Sequence, residues 1–191
     1  MKSWHRYTIT LVGGLAVGLG AAWALTGGGL GDGAIRNGAW TTSLGYGTKA
    51  TDPLTRAMVA RSGLLALPAK ETLYWMATTD EAGAPLDGDC RYSLSGTALD
   101  ARWWSVTVYD EQGYLVDNAA RNWSVNGANV ALDANGEWRV TISPAKPAAG
   151  AWLPGGKGGP FQLTLRMYNP GKAFRAAPAR AALPRLVKEG C

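Results

Sequence analysis

The chain has 191 residues and a formal net charge of +5, and only 17% of its residues are charged. This length suits one domain with a sizeable core and short appendages, and 26 glycines and nine tryptophans indicate a turn-rich β domain rather than a disordered chain. The basic excess follows Pro170 in a Pro- and Ala-rich stretch without a recognition helix. We therefore expect no nucleic-acid partner.

The first element is the uncharged stretch Tyr7–Leu25, which follows Lys2, His5 and Arg6. A helix over this range reaches about 28 Å at ~1.5 Å per residue, close to the ~30 Å hydrocarbon core of a bilayer. The basic flank predicts a cytoplasmic amino terminus. We expect a single-pass inner-membrane protein with its globular domain in the periplasm, and the lipid bilayer is then its first partner.

Two interpretations of this segment stay open. Ala22-Trp23-Ala24 resembles the small-x-small cleavage site of a signal peptide. The length of the apolar run, and the bulky Trp23 near its end, favour an uncleaved anchor instead. Gly14, Gly18 and Ala22 also form a small-xxx-small ridge on which another transmembrane helix could pack.

A short helix is predicted after the glycine-rich joint Gly27–Gly29. Asp52 is a good N-cap residue and Pro53 suits the first helical position, so the helix should begin there and end near Ser62-Gly63. Its apolar stripe would comprise Leu54, Met58 and Leu64-Leu65.

The rest of the chain predicts short strands separated by turn signals. Trp104, Val106 and Val108 alternate with Ser105, Thr107 and Tyr109, the pattern of a strand with one buried face, and Asn135-Gly136 is a hairpin signal. We predict strands at Glu71–Thr78, Arg91–Leu94, Arg102–Tyr109, Tyr114–Val116, Asn129–Leu132, Trp138–Ile142 and Gln162–Met167.

This pattern predicts a mainly β fold, an antiparallel β-sandwich or jelly-roll-like domain with one or two short helices, preceded by a transmembrane helix. The expected organisation is a membrane anchor or signal segment over residues 1–29, the β domain over residues 30–170, and a basic Pro/Ala-rich tail over residues 171–191.

Short motifs occur in a fixed order along the exported chain. They are Asn37-Gly38-Ala39-Trp40, Arg56-Ala57, Leu86-Asp87-Gly88, Arg91-Tyr92, Trp104–Asp110, Leu115-Val116, Asn118, Trp152-Leu153-Pro154, Gly159-Pro160-Phe161 and Leu163–Tyr168. Together they resemble the bacterial DUF1214 family of unknown function, over about Ile35–Pro170. The resemblance implies a β-sandwich-type fold and no established catalytic residues. Larger members carry a preceding DUF1254 domain, for which this chain has no room, so the resemblance implies a separate DUF1254-like protein as partner.

The single histidine limits the available chemistry. His5 precedes the apolar segment, so a Ser-His-Asp triad or a His-bearing metal site is excluded from the exported domain, and we predict no cofactor and no metal. Catalysis would have to use carboxylates such as Asp87, Asp89 and Asp110. Acids that cap turns, or that pair with Arg91 or Arg121, explain these residues better than a glycosidase pair does. The residues do not decide whether the protein is an enzyme, but they favour a protein without catalytic activity.

Binding is the better functional hypothesis, because Trp and Tyr present flat apolar faces with polar edges that suit sugar rings or protein partners. Trp104 also suits the core of an alternating strand, whereas Arg121 and Trp123 lie in less regular sequence. The candidate ligand-binding residues are Trp104, Tyr109, Asn118, Arg121, Trp123 and Trp152.

Cys90 and Cys191 are the two cysteines of the chain. In an oxidising compartment they suggest one disulfide, which would tie the basic tail back to the loop before Arg91. A mixed disulfide with another chain, or two free thiols, are the alternatives.

Three functions follow in order of preference. The first is a membrane-anchored accessory or interaction protein of the cell envelope, acting with a DUF1254-like partner. The second is a module that binds an envelope glycan, and the third is a carboxylate-based hydrolase.

Overall fold

Two β-sheets form the core of the computed structural model, which describes residues 3–27, 34–48, 51–61 and 63–191. In chain order the elements are α1 (Ser3–Gly27), β1 (Ile35–Asn37), β2 (Trp40–Thr42), α2 (Pro53–Arg61), β3 (Thr72–Ala77), β4 (Arg91–Thr97), β5 (Ala101–Asp110), β6 (Ser124–Asn126), β7 (Glu137–Ile142), β8 (Ala151–Leu153), β9 (Phe161–Pro170), α3 (Lys172–Ala176), a 3-10 turn (Pro178–Arg180) and β10 (Arg185–Gly190).

The larger sheet has six strands in the order β1-β2-β3-β9-β5-β6, and every pairing in it is antiparallel. The smaller sheet has the order β10-β4-β7-β8, in which only the β7–β8 pairing is parallel. Buried residues of both sheets form one hydrophobic cluster. The prediction of a mainly β fold with antiparallel sheets and few short helices is confirmed.

The alternation predicted for β5 determines how the larger sheet is oriented. Trp104, Val106 and Val108 lie in the shared core, while Ser105 and Thr107 lie on the opposite face of the sheet. The strand pairs with β9 along its length, from Ala101 opposite Pro170 to Asp110 opposite Phe161. Each of these two long central strands therefore has one face towards the core and one face away from it.

The apolar segment forms the helix α1, and its described side chains lie outside the sandwich. Over Ser3–Thr26 the helix is long and apolar enough to cross a membrane, a property that signal sequences share. Its last turn contacts α2, because the Arg61 guanidinium lies 4.1 Å from the Trp23 ring centroid and donates to the Trp23 carbonyl oxygen at 3.1 Å. The predicted boundary at residues 29–30 and most of the Gly27–Gly29 joint lie outside the described residues.

The helix α2 begins as predicted, since the Thr55 N–H donates to Asp52 Oδ1 at 3.0 Å and Pro53 is the first helical residue. It ends at Arg61, as predicted; Ser62 is outside the described residues. The predicted apolar stripe is not buried, however. Leu54 and Leu65 are exposed, because only Thr55 of α2 is buried against the domain.

Two predicted strands are absent from the described sheets. Tyr114–Val116 and Asn129–Leu132 contribute only isolated bridges, from Leu115 to Tyr109 and from Leu132 to Trp138. Tyr114, Leu115 and Leu132 are exposed, whereas Val116 and Val130 pack against the core from loops rather than from strands.

The predicted carboxy-terminal tail is part of the sandwich, and the expected domain boundary after Pro170 is therefore wrong. The strand β10 pairs with β4, and its Leu186 is fully buried in the common core. The other side chains of β10 are exposed, and Arg91 on β4 pairs with Glu189 at 2.7 Å. A charged strand at a sheet edge resists pairing with other chains, which explains why its sequence looks like a solvated tail.

Candidate binding site

Trp104 is a core residue in the structure and not an accessible platform. Its indole is 6% exposed and stacks on Trp138, with ring centroids 4.9 Å apart and an interplanar angle of 26°. The adjacent Gly127 leaves no spare room, because a Cβ at that position would lie 2.9 Å from Trp104 Nε1. A ligand could reach Trp104 only by opening the core.

Asn118, Arg121 and Trp123 share one loop between β5 and β6. Asn118 and Trp123 meet at the carbonyl oxygen of Val116, to which Trp123 Nε1 donates at 2.7 Å and Asn118 Nδ2 at 3.2 Å. Asn118 Oδ1 accepts the Asn122 N–H at 3.1 Å, so the loop closes on itself. Arg121 is exposed and adopts a left-handed backbone conformation, with φ of 49°.

Trp152 on β8 is joined to this loop through Asn122. Asn122 Nδ2 donates to the Trp152 carbonyl oxygen at 2.6 Å, and Trp152 Nε1 donates to the Ser143 carbonyl oxygen at 3.0 Å. The structure thus brings four predicted residues together, but the polar edges of both indoles serve the fold. Their hydrogen bonds hold the loop in place, and Trp123 also packs against the core.

A small polar cleft of about 110 Å³ lies beside this loop, between Asp110, Asp117 and the glycine-rich segment 155–158. Lys157 and Asp117 form an ion pair across it, and both side chains are highly exposed. Such an exposed pair contributes little to stability. Within the described residues, no group of three or more His, Cys, Asp or Glu is placed to hold a metal ion.

The carboxylates proposed for hydrolysis are used by backbone turns. Asp87 Oδ1 accepts the Asp89 N–H at 3.0 Å, and Asp110 Oδ1 accepts the Tyr114 N–H at 2.8 Å. Both are hydrogen bonds that Asp commonly makes to cap a turn. This geometry is the one expected if these acids serve the fold.

Tyr109 lies apart from the other predicted residues, on the outer face of the six-stranded sheet, and its partner there is Arg166. Leu165 and Met167 on β9 are fully buried, so Arg166 between them points away from the core. Arg166 Nη2 donates to the Tyr109 hydroxyl at 2.9 Å, and the guanidinium carbon lies 5.4 Å from the Tyr109 ring centroid. The pair therefore combines a hydrogen bond with a cation–π contact.

The positions around Arg166 combine hydroxyls with aromatic rings. Opposite it in the sheet are Ser105 on β5 and Tyr74 on β3, and Trp103 lies opposite Tyr168 one step further along. Trp103 is 42% exposed, and its ring meets Tyr168 edge to face at 5.5 Å. We define the outer sheet face by its central members, Trp103, Ser105, Thr107, Tyr109, Thr164, Arg166 and Tyr168.

Sequence reasoning singled out Tyr109 of this set but not Arg166 or Trp103. The signal was present in the alternation, because Arg166 is flanked by Leu165 and Met167, and Trp103 directly precedes the core residue Trp104. The missing information was the register that brings β5 and β9 together.

Comparisons with known proteins find a family model and solved structures that resemble this chain. The model of the family described as "Protein of unknown function (DUF1214)" matches residues 71–172. The chain is similar to the crystal structure of the VPA0106 protein from Vibrio parahaemolyticus, with 22% identity and a TM-score of 0.60 over 71% of this chain and 35% of that one. It is also similar to an uncharacterised protein from Burkholderia cenocepacia, with 18% identity and a TM-score of 0.44, over 61% of this chain and 30% of that one.

No curated protein matches the chain. The chain spans about a third of the length of the solved structures that it resembles. The likeness to the VPA0106 protein concerns the fold alone.

Proposed function

The chain belongs to the DUF1214 family, and from this premise we propose that it is a membrane-anchored accessory or interaction protein of the cell envelope. The observation that carries the proposal is α1. Its large apolar side chains, from Trp4 to Leu25, are each more than half exposed. Exposed apolar area costs about 25 cal/mol per Å² in water, so a helix of this kind is stable where lipid surrounds it.

The orientation follows from charge and from the cysteines. His5 and Arg6 precede the apolar stretch, which favours a cytoplasmic amino terminus and a periplasmic sandwich. A disulfide joins Cys90 to Cys191, which are 101 residues apart in the sequence. Disulfides persist in oxidising compartments, so this bond supports export of the domain.

A membrane partner would pack against α1 itself. Gly14 and Gly18 lie in a shallow groove along the helix, whose other lining residues are Thr10, Leu11, Leu15 and Leu19. Small residues at such a place let a second helix backbone approach closely. Because the chain belongs to the DUF1214 family, we propose a DUF1254-like protein as this partner.

The anchor is tested by fractionating cells that express the full chain. We expect the chain to remain in membranes after alkaline carbonate washing, with its sandwich digested by protease in spheroplasts. The matched variant Leu15→Arg places a charge at the helix centre, at a cost of about 3 kcal/mol, and should leave the membrane fraction. A soluble mature chain that begins after Ala24 would contradict the anchor and identify a signal peptide.

The partner is tested by cross-linking in intact membranes. Gly14→Leu and Gly18→Leu together should reduce recovery of a cross-linked membrane protein, since they fill the groove. Gly13→Leu adds the same bulk outside the groove lining and is the control. Equal recovery from both variants would contradict packing through this ridge.

A second candidate function, binding of an envelope glycan, is favoured by the exposed indole of Trp103 on the outer sheet face. Exposed aromatic faces on a β-sheet suit stacking on sugar rings. A glycan array probed with the wild type and with Trp103→Ala tests this function. Silence of the wild-type protein would remove it.

A further inference from the structure

We infer that the loop between α2 and β3 lies on the bilayer, with the side chains of Leu65 and Leu67 in the lipid leaflet nearest the sandwich. This inference rests on the proposed membrane anchor and adds to it a second contact between the protein and the membrane. The sandwich is then held against the bilayer at two places and does not swing on a single tether.

The first argument is the height at which α1 leaves the bilayer. Trp4 and Trp23 lie near the two ends of the helix, and both are exposed. At ~1.5 Å per residue the helix between them is about 28 Å long, which matches the ~30 Å hydrocarbon core. Tryptophans concentrate where the hydrocarbon core meets the lipid headgroups. Trp23 therefore marks the surface of the bilayer on the side of the sandwich.

The second argument is that α2 is joined to α1 at this height. Arg61 is the last residue of α2, and its guanidinium lies 4.1 Å from the Trp23 ring centroid and donates to Thr26 Oγ1 at 2.8 Å. Leu65 follows four positions later. Its Cα is therefore within about 14 Å of the Arg61 Cα, whatever path the chain takes between them. The end of α2 and the loop that follows it thus lie beside the bilayer surface.

The third argument is that the loop has a fixed backbone and exposed apolar side chains. The buried Tyr74 holds it, because the Tyr74 hydroxyl accepts the Leu67 N–H at 3.1 Å and donates to the Leu65 carbonyl oxygen at 3.3 Å. The Leu65 side chain is nevertheless 93% exposed, and Leu67 is exposed as well. Single exposed leucines are common on soluble proteins, but two on one fixed loop beside a membrane helix form an apolar surface that lipid can cover.

The fourth argument is the charge beside the loop. Arg56 and Arg61 are exposed, and neither pairs with a carboxylate in the part of the chain that the structure describes. Two acids near by in sequence are engaged, since Asp52 caps α2 and Glu71 lies 3.8 Å from Lys70. Free cations next to apolar side chains suit a phospholipid surface, where guanidinium groups bind headgroup phosphates.

The test is photo-crosslinking of the full chain in vesicles of phosphatidylcholine and phosphatidylglycerol that carry a phosphatidylcholine with a diazirine in its acyl chain. Mass spectrometry then compares three tryptic peptides. Peptide 7–36 reports α1, peptide 62–70 reports Leu65 and Leu67, and peptide 122–139 reports Leu132, an exposed leucine on the loop before β7. We expect lipid adducts on the first two peptides and only background on the third.

A matched pair of variants identifies the side chain responsible. Leu65→Asp replaces an apolar group with a charge that lipid disfavours, so adducts on peptide 62–70 should fall several-fold while those on peptide 7–36 are retained. Leu132→Asp is the same change on another exposed leucine and should leave all three peptides as in the wild type. Because Leu65 is almost fully exposed, the variant should fold, and its melting temperature checks this. Unchanged adducts on peptide 62–70 in Leu65→Asp would overturn the inference.

The three peptides separate the two levels of the proposal. If peptide 7–36 carries no adducts, the anchor itself fails, and the inference fails with it. If peptide 7–36 is labelled and peptide 62–70 is not, the anchor stands and the contact through the loop is wrong. Equal labelling of peptides 62–70 and 122–139 would show that lipid has no preference for the loop, which also overturns the inference.

Discussion

Trp104 on β5 stacks on Trp138 on β7, and this contact joins the six-stranded sheet to the four-stranded sheet at the centre of the core. Trp138 is also fixed at its polar edge, since its Nε1 donates to the Thr97 carbonyl oxygen at 2.8 Å. The stack therefore combines a large buried apolar area with a defined orientation. The neighbouring residue Trp103 faces the other way and is substantially exposed.

Adjacent tryptophans on opposite faces give a matched pair of substitutions. Trp104→Ala should lower the free energy of unfolding by about 3–5 kcal/mol, because it leaves a cavity between the sheets. Trp103→Ala removes the same side chain from the outer face and should cost less than about 1.5 kcal/mol. Guanidinium unfolding of both variants measures the difference. Similar losses would contradict the assignment of Trp104 to the core.

The fold class could be predicted because alternation survives in the long strands. On β5, the alternation from Trp104 to Tyr109 identifies which side chains face the shared core. The strand β3 is predicted instead from its aromatic and β-favouring residues, and β7 and β9 are predicted as short runs between turn signals. The strands β1, β2, β6 and β8 have three residues each, too few for alternation to stand out. Their pairing depends on partners that are distant in sequence.

The candidate site was less predictable than the fold. Arg166 and Trp103 are 63 positions apart in sequence, and only the antiparallel register of β5 and β9 brings them to one face. The edge strand β10 was not predicted, because its single buried residue, Leu186, stands among charged residues such as Arg185, Lys188 and Glu189 and gives no apolar alternation. Tertiary context determined both features.

Reduction of the Cys90–Cys191 disulfide should destabilise the sandwich, because it releases the end of β10. Cys191→Ser removes the link between the end of β10 and the residue before β4, and we expect a loss of about 2–5 kcal/mol for a crosslink of this span. Thermal unfolding with and without dithiothreitol measures it. The double variant Cys90→Ser, Cys191→Ser is the control and should be insensitive to reductant. A wild-type melting temperature that reductant does not change would contradict the bond.

Tyr46 should make the fold sensitive to alkali. Burial raises the pKa of Tyr46 from 10.0 to about 12. Between these two values the unfolded chain loses the phenolic proton while the folded chain keeps it, so stability is complete below pH 10 and falls as the pH rises towards 12. The loss should not exceed about 2.7 kcal/mol at one pKa unit per 1.36 kcal/mol.

The matched variant for this effect is Tyr46→Phe, which keeps the ring and removes the titrating group. Urea unfolding of both proteins at a series of pH values isolates the contribution of Tyr46, because other alkaline titrations are common to both. We expect the two stability curves to be parallel below pH 10, and the wild-type curve to fall more steeply than the Tyr46→Phe curve above it. Curves that stay parallel to pH 12 would contradict a raised pKa.

Gly47 should be far less tolerant of substitution than Gly63, although both have nearly the same backbone conformation, with φ of 68° and 66°. A Cβ at Gly47 would collide with the backbone of Leu67 and lie 2.6 Å from the Ala66 carbonyl oxygen, whereas one at Gly63 would meet nothing within 4 Å. Gly63→Ala should therefore cost only the left-handed strain, about 1 kcal/mol.

Gly47→Ala carries the same strain and also forces apart the turn before α2 and the segment that leads into β3. Relief requires backbone movement, so we expect a further loss of about 2 kcal/mol or more. Chemical unfolding of the two variants gives the steric contribution as a difference, because the conformational strain cancels. Equal losses would show that residues 66 and 67 do not pack against Gly47.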